Sequence, residues 1–360
     1  MEKLVINPSF WKDRKVFITG HTGFKGSWLS LWLARLGANV TGYSLEPPTK
    51  PALFEDAKVV GVLLRSILGD IRDADTFTEA MQAAKPEVVI HMAAQPLVRE
   101  SYIDPVGTYT VNIIGTVNLF EAVRKTSGIK AVLNITTDKC YENKEWVWGY
   151  RESEPMGGHD PYSSSKGCAE LISSAYRRSF LQHEGVALAT ARAGNVIGGG
   201  DWAKDRIVPD AMLAFMNKAD LLVRNPAATR PWQHVLEPLS GYIMLCQQLI
   251  QCPDAFAESW NFGPGEEDIK PVSSLADIMI KNWGEEVSWE LDGETHPHEA
   301  SFLKLDCSKA KAKLKWKPIW NLERALDETV QWYKAWHSER EMHQFSLNQI
   351  ENYQQERLAQ

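Results

Sequence analysis

Cysteine is sparse in this chain, long apolar runs are missing, and positive charge is outweighed by negative. Five cysteines (Cys140, Cys168, Cys246, Cys252, Cys307) are scattered through 360 residues. Their odd number and their lack of metal-ligand spacing exclude a disulfide framework and read as reduced thiols of a cytoplasmic protein. No run approaches the roughly 18 apolar residues of a membrane span. The opening Met1-Glu2-Lys3-Leu4-Val5-Ile6-Asn7-Pro8 lacks the apolar region of a signal peptide. No membrane partner is expected. Lys and Arg number 39 against 46 Asp and Glu, a formal net charge of -7. With no recurring basic stripe, nucleic acid is not expected as a partner either. The Lys-rich stretch Lys309–Lys317 alternates with Ala and Leu and suits a solvated helix face. His296 and His298 invite a metal, but no third ligand stands at suitable spacing, so no metal is expected.

What is present is an ordinary globular composition, 44% hydrophobic and 24% charged, with an unusual 14 Trp. Core packing is the plain use for most of these rings, and stacking on a ligand the other. The length exceeds one typical domain. In the first half, short apolar runs alternate with helical periodicity. Strands are predicted at Lys15–Thr19, Asn39–Tyr43, Leu63–Leu68, Glu87–His91, Ala131–Ile135 and Ala187–Arg192. Helices are predicted at Ser27–Leu36 and over 74–84, 105–125 and 162–181. That alternation predicts an α/β fold with a doubly wound parallel sheet. Past about residue 193 the pattern weakens, and Gly198-Gly199-Gly200 breaks the chain. We expect a cofactor-binding unit over 1–193 and a smaller mixed α/β lobe over 194–341, some elements of which interleave with the first. A last helix or two is expected over 322–340, and the polar tail 342–360 reads as a loosely docked helix.

Ligands of doubly wound sheets bind beyond the carboxyl ends of the strands. Four segments fall at such ends. Gly20-His21-Thr22-Gly23-Phe24-Lys25-Gly26 follows the first strand and opens a helix. Missing Cβ atoms allow a tight turn and bring backbone N–H groups and a helix N-terminus to a pyrophosphate. Gly20, Thr22, Gly23, Phe24 and Gly26 are its candidate cofactor contacts. Asp70 follows the third strand, placed either to accept from an adenine amino group, with Ile71 on the ring, or to cap a turn. His91-Met92-Ala93-Ala94-Gln95 follows the fourth, and Thr136-Thr137-Asp138-Lys139 the fifth. Strand two ends in Tyr43-Ser44-Leu45-Glu46, with no Arg to meet a 2′-phosphate, so NAD is preferred over its phosphorylated form.

Tyr162 and Lys166 stand four apart in Pro161-Tyr162-Ser163-Ser164-Ser165-Lys166 and so share one helix face. An ammonium there is expected to lower the phenol from its usual value of about 10. A phenolate can take a proton from a sugar hydroxyl while a hydride leaves the same carbon.

The glycine loop, His91-Met92-Ala93-Ala94-Gln95, Thr136-Thr137-Asp138 and Tyr162-x-x-x-Lys166, in this order, resemble the extended short-chain dehydrogenase/reductase family of NAD-dependent epimerases and dehydratases. The resemblance covers most of the chain. It implies that Ala93, Ala94, Thr136, Tyr162 and Lys166 meet the cofactor. Thr137-Asp138 before the Tyr helix is similar to the nucleotide-sugar 4,6-dehydratases, whose next residue is usually Glu; here it is Lys139. Thr137-Asp138-Lys139, the Ala193–Trp202 segment and Arg230-Pro231-Trp232-Gln233-His234-Val235 narrow the resemblance to the branch that acts on CDP-glucose. It then implies a lyase yielding CDP-4-keto-6-deoxyglucose for dideoxy sugars of lipopolysaccharide O-antigen. Tyr162 is the C4 base, Thr137 orients the C4 oxygen, and Asp138 is the acid at C6. Lys139 serves as the C5 base or as electrostatic support for an enolate. The base role requires its ammonium to lose a proton well below about 10.4, which Lys166 and oxidised nicotinamide favour.

Substrate contacts are expected from Gln95, Asn195, Arg206, Arg230, Trp232, His234 and Glu299. Arg206 and Arg230 could clamp phosphate or form surface ion pairs; Trp232 could stack on the substrate or pack in the core. By analogy with the family, the helices near 105–125 and 162–181 pair two copies, giving a homodimer or homotetramer. Rival readings are a 4-epimerase, a dehydratase for another nucleotide, and a non-catalytic NAD-sensing or scaffold protein. Epimerases need no acid at C6, and non-catalytic offshoots tend to lose Tyr or Lys.

Overall fold

The structure is a computed structural model describing residues 4–284, 286–293 and 302–359. His296, His298 and Glu299 lie outside the described residues. Six strands of the first half pair in parallel: β1 (Lys15–Thr19), β2 (Asn39–Ser44), β3 (Arg65–Leu68), β4 (Val88–His91), β5 (Ala131–Ile135) and β6 (Ala187–Ala193). β7 (Asn195–Ile197), β8 (Leu221–Val223) and β9 (Thr229–His234) follow, then β10 (Ser259–Phe262), which pairs in parallel with β6 as the seventh strand. The order is β3-β2-β1-β4-β5-β6-β10, reversing direction between β1 and β4. This is a doubly wound, Rossmann-type sheet. β4, β5 and β6 are buried along their whole length, and β1 from Val16 on, because helices cover both faces.

β11 (Ile269–Pro271) joins β9 and β7 in a small mixed sheet, and β12 (Trp289–Leu291) pairs with β8. The helix Leu236–Gln251 lies between this region and the main sheet, with nearly every residue buried. One large core cluster therefore runs from Trp11 and Trp28 to Trp332 and Tyr353. Most of the tryptophans pack there, and Trp11, Trp28, Trp32, Trp260, Trp316 and Trp332 are fully buried.

The expectation of a loosely docked tail is corrected. Residues Met342–Ala359 form a helix whose Ser346, Ile350 and Tyr353 are wholly buried. Tyr353 Oη donates to Glu237 Oε2 at 2.6 Å, and Trp332 Nε1 donates to Ser346 Oγ at 3.0 Å. The polar composition misleads because its polar groups are hydrogen-bonded inside the core.

The helix Pro161–Tyr176 has a well-defined start. Asp160 accepts from the Ser163 N–H at 2.9 Å, and Pro161 opens the first turn. Its buried face carries Tyr162, Lys166 and Glu170 in line. The helical stretch over 105–124 is interrupted by a π turn at Thr110–Ile114. No helix among the described residues is long and apolar enough to cross a membrane. All five cysteines are free.

Candidate active site

At the carboxyl edge of the sheet, the glycine loop packs onto the segment after β4. Gly20 has φ +75, and a Cβ there would sit 2.7 Å from the Ala93 nitrogen. A Cβ on Gly26 would sit 2.0 Å from the Gly20 carbonyl oxygen. Thr19 Oγ1 accepts from the N–H groups of Met92 and Ala93, each at 3.1 Å, and fixes the two segments together. The helix Phe24–Arg35 then starts at Gly23 with no side chain capping its first turn. That open N-terminus fits an anionic pyrophosphate, so the residues present suit a dinucleotide.

Several expected cofactor contacts are turned elsewhere. Thr22 Oγ1 is hydrogen-bonded to Ser44 Oγ at 2.8 Å and donates to the Leu45 carbonyl at 2.9 Å, so its side chain ties the loop to β2. Thr136 Oγ1 donates inward to Glu170 Oε1 at 2.5 Å. Ile71 is buried against Gly115, leaving it no face for a ring. Asp70 takes the turn role: it accepts from the Arg72 N–H at 2.8 Å and is gripped by the Arg72 guanidinium at 2.5–3.0 Å. That pairing holds its carboxyl below the usual range. Phe24 is half-buried, its ring facing Gly198.

The expected catalytic residues do come together. Thr137 Oγ1 donates to Asp138 Oδ1 at 2.9 Å, and Asp138 Oδ2 is buried with no partner. Burial raises the Asp138 carboxyl; the charges of Lys139 and Arg230 and the Thr137 hydrogen bond oppose it. Lys139 is half-buried, and its N–H reaches Thr137 Oγ1 at 3.4 Å. Tyr162 hydrogen-bonds with Thr137, but burial pushes its phenol up to about 12, with Asp138 adding to the rise and Arg206 opposing it. The expected lowering by Lys166 is not found. The charges felt most by this phenol belong to Asp138, Arg206 and Asp160. Lys166 Nζ instead donates to the Ile135 carbonyl at 3.3 Å. Burial brings its ammonium down to about 8, with Glu170 opposing the fall.

Of the substrate candidates, Arg206 and Arg230 converge on this centre. Arg206 pairs with Asp201 at 2.8 Å and acts on Tyr162, while Arg230 acts on Asp138. Asn195 is half-buried where β6 passes into β7. Three expectations are corrected. His234 is wholly buried between Trp28 and Trp320, ring centroids 6.3 and 4.9 Å away, and burial lowers its imidazole to about 3. Trp232 belongs to the main core. Gln95 has its amide engaged at home: Nε2 donates to Thr108 Oγ1 and the Leu97 carbonyl, and Oε1 accepts from the Leu97 N–H. Spacing of two along β9 puts Trp232 and His234 on one face with Arg230, but the strand is buried from Arg230 to His234, so sharing that face does not expose them.

Sequence reasoning missed Lys25 and Tyr242. Lys25 Nζ donates to Tyr242 Oη at 3.3 Å. Burial, then the charges of Lys166 and Arg206, brings its ammonium down to about 7 against the pull of Asp138. Its signal was a cation inside the glycine motif. Tyr242 comes from a distant helix and carried no signal. Among the described residues, no group of three or more His, Cys, Asp or Glu could hold a metal ion.

A model of the GDP-mannose 4,6 dehydratase family matches residues 17–329. The chain belongs to this family. Among relatives within reach of this 4,6-dehydratase family, a CDP-glucose 4,6-dehydratase of Salmonella typhimurium is 55% identical over 354 residues, 97% of this chain and 98% of that protein. Solved structures share the fold. A dTDP-glucose 4,6-dehydratase from Bacillus anthracis, in complex with NAD, superposes with a TM-score of 0.72 at 21% identity, covering 89% of this chain and 96% of that one. A double mutant of a Streptomyces venezuelae dTDP-glucose 4,6-dehydratase, also with NAD bound, gives 0.76 at 22% identity, covering 91% and 98%.

Proposed function

We propose that this chain catalyses the NAD-dependent 4,6-dehydration of CDP-glucose to CDP-4-keto-6-deoxyglucose. The overall likeness to the Salmonella enzyme supports the substrate and the reaction class. One structural observation carries the chemistry: the buried, unpartnered Asp138 Oδ2 beside Thr137 and Tyr162. Burial raises the Asp138 carboxyl and so favours its protonated form, which can donate to a leaving hydroxide, a step no 4-epimerase needs.

Gly20, Gly23 and Gly26, with the open helix N-terminus, hold the cofactor pyrophosphate. Bound NAD supplies the redox chemistry that oxidises C4 and reduces C6. Tyr162 receives the C4 hydroxyl proton as its phenolate, a form that burial opposes and that the positive charge of oxidised nicotinamide would favour, and Thr137 orients the C4 oxygen. Oxidation at C4 acidifies the C5 hydrogen, and Lys139, next to the acid in sequence, removes it. Asp138 delivers its proton to the departing C6 hydroxyl. Lys166 holds positive charge beneath the cofactor site, while Arg206, Arg230 and Asn195 receive the substrate diphosphate.

The unit over 1–193 carries cofactor and catalytic groups, and the lobe over 194–341 the nucleotide sugar. The chain works as a homodimer or homotetramer in the cytoplasm. Val106, Ile114 and Leu171 are exposed on the helices expected to pair, and the free thiols suit a reducing compartment. The test is incubation with CDP-, dTDP-, GDP- and UDP-glucose followed by mass analysis. Loss of one water from CDP-glucose is expected; a product of unchanged mass would mean epimerisation.

A further inference from the structure

Directly below the catalytic cluster lies an ion pair that the chemistry above does not use. Arg192 on β6 grips Glu170 through Nε at 2.9 Å and Nη2 at 2.7 Å, and both side chains are 3% exposed. Glu170 also accepts from Thr136 Oγ1 at 2.5 Å, Thr190 Oγ1 at 2.8 Å and Ser259 Oγ at 3.3 Å. Arg192 Nη1 donates to Tyr141 Oη at 2.7 Å and the Glu152 carbonyl at 3.1 Å. One carboxylate therefore joins the Tyr162 helix, the end of β5, β6 and β10. Thr136 immediately precedes Thr137-Asp138, and Glu170 lies one turn past Lys166.

We propose that Glu170, fixed by Arg192, is a positioning residue that registers the Thr137-Asp138 acid against Tyr162 and keeps a negative charge under Lys166. A removable ion pair buried only for stability would need no hydroxyl from the catalytic loop, nor a place on the catalytic face of that helix. The bidentate fork sets direction as well as distance. A displacement of about 1 Å at such a point can cost roughly 100-fold in rate.

The titratable groups facing Lys166 come from four elements. They are Glu170 on its own helix, Cys140 after β5, Lys25 on the glycine-loop helix and His91 on β4. Glu170 is the carboxylate among them and holds the ammonium in its charged form. Its loss lowers the pH at which Lys166 discharges, so an alkaline limb set by Lys166 moves toward acid.

The inference rests on the proposed dehydration, and wild-type protein separates the two. If wild-type removes no water from CDP-glucose, the function itself fails, whatever Glu170 does. If it does, Glu170→Gln is measured for kcat, KM and pH profile. We expect kcat to drop about tenfold or more, KM for CDP-glucose to stay within about twofold, and the alkaline limb to shift down by about one pH unit. A folded variant with wild-type kcat or an unmoved limb overturns the proposal. Should Glu170→Gln not fold, Arg192→Lys keeps the charge and loses the fork. A lower kcat with the limb in place is then expected, and wild-type kcat overturns the proposal.

Discussion

Thr137 donates its hydroxyl proton to one oxygen of Asp138 and leaves the other oxygen buried and bare. This arrangement separates two duties. The bound oxygen fixes the carboxyl in place, and the bare one is available to a leaving group. Asp138→Asn preserves the shape and removes the acid. We expect kcat for water loss from CDP-glucose to fall about 100-fold or more, with KM little changed. Steady-state rates from product mass check this.

Lys139 is assigned the C5 proton. In deuterated water, wild-type enzyme should place deuterium at C5 of the product. Lys139→Met should lose most of the turnover together with that label. Undiminished C5 exchange in the variant would transfer the base role to Asp138.

The cofactor loop offers a steric test. A Cβ at Gly26 would meet the Gly20 carbonyl oxygen at 2.0 Å, whereas one at Gly61 meets nothing within 4 Å. Gly26→Ala should cost about 1–3 kcal/mol of stability and weaken NAD binding in a titration. Gly61→Ala should do neither.

Much of this site could be read directly from the chain. The glycine loop, Thr137-Asp138 and Tyr162-x-x-x-Lys166 are short motifs whose spacing is local, and parallel strands bring their ends to one edge. Side-chain direction was not legible. Thr22, Thr136 and Ile71 sit where expected, yet each turns its side chain into the protein against neighbours distant in sequence, and Gln95 turns its amide onto nearby Leu97 and Thr108. His234 looked polar and available, but β9 points it between two tryptophans. Strand β10 was hidden inside the irregular second half, since four residues leave no periodicity to detect. The sign of the Tyr162 shift also escaped. Helical spacing places Lys166 on the same face, while burial, which spacing does not report, dominates the phenol.

A stability effect is expected far from the chemistry. Glu237 is wholly buried and accepts from the N–H groups of Ile319 and Trp320 and from Tyr353 Oη. Burial pushes its carboxyl up to about 7 from 4.5. The folded state thus holds a proton that the unfolded chain releases near 4.5. Its contribution is full below 4.5 and is lost as pH rises through 7, at an overall cost on the order of 3 kcal/mol. Glu237→Gln cannot ionise. Its melting temperature should decline less than wild-type between pH 5 and 8, as measured by calorimetry.

The phenol of Tyr162 is the group on which the reaction turns. Tyr162→Phe keeps the ring and its packing while removing the oxygen that receives the C4 proton. The decisive measurement is kcat for dehydration of CDP-glucose by this variant, alongside its KM. A fall of at least about 100-fold with KM near wild-type is predicted; turnover at the wild-type rate would contradict the account.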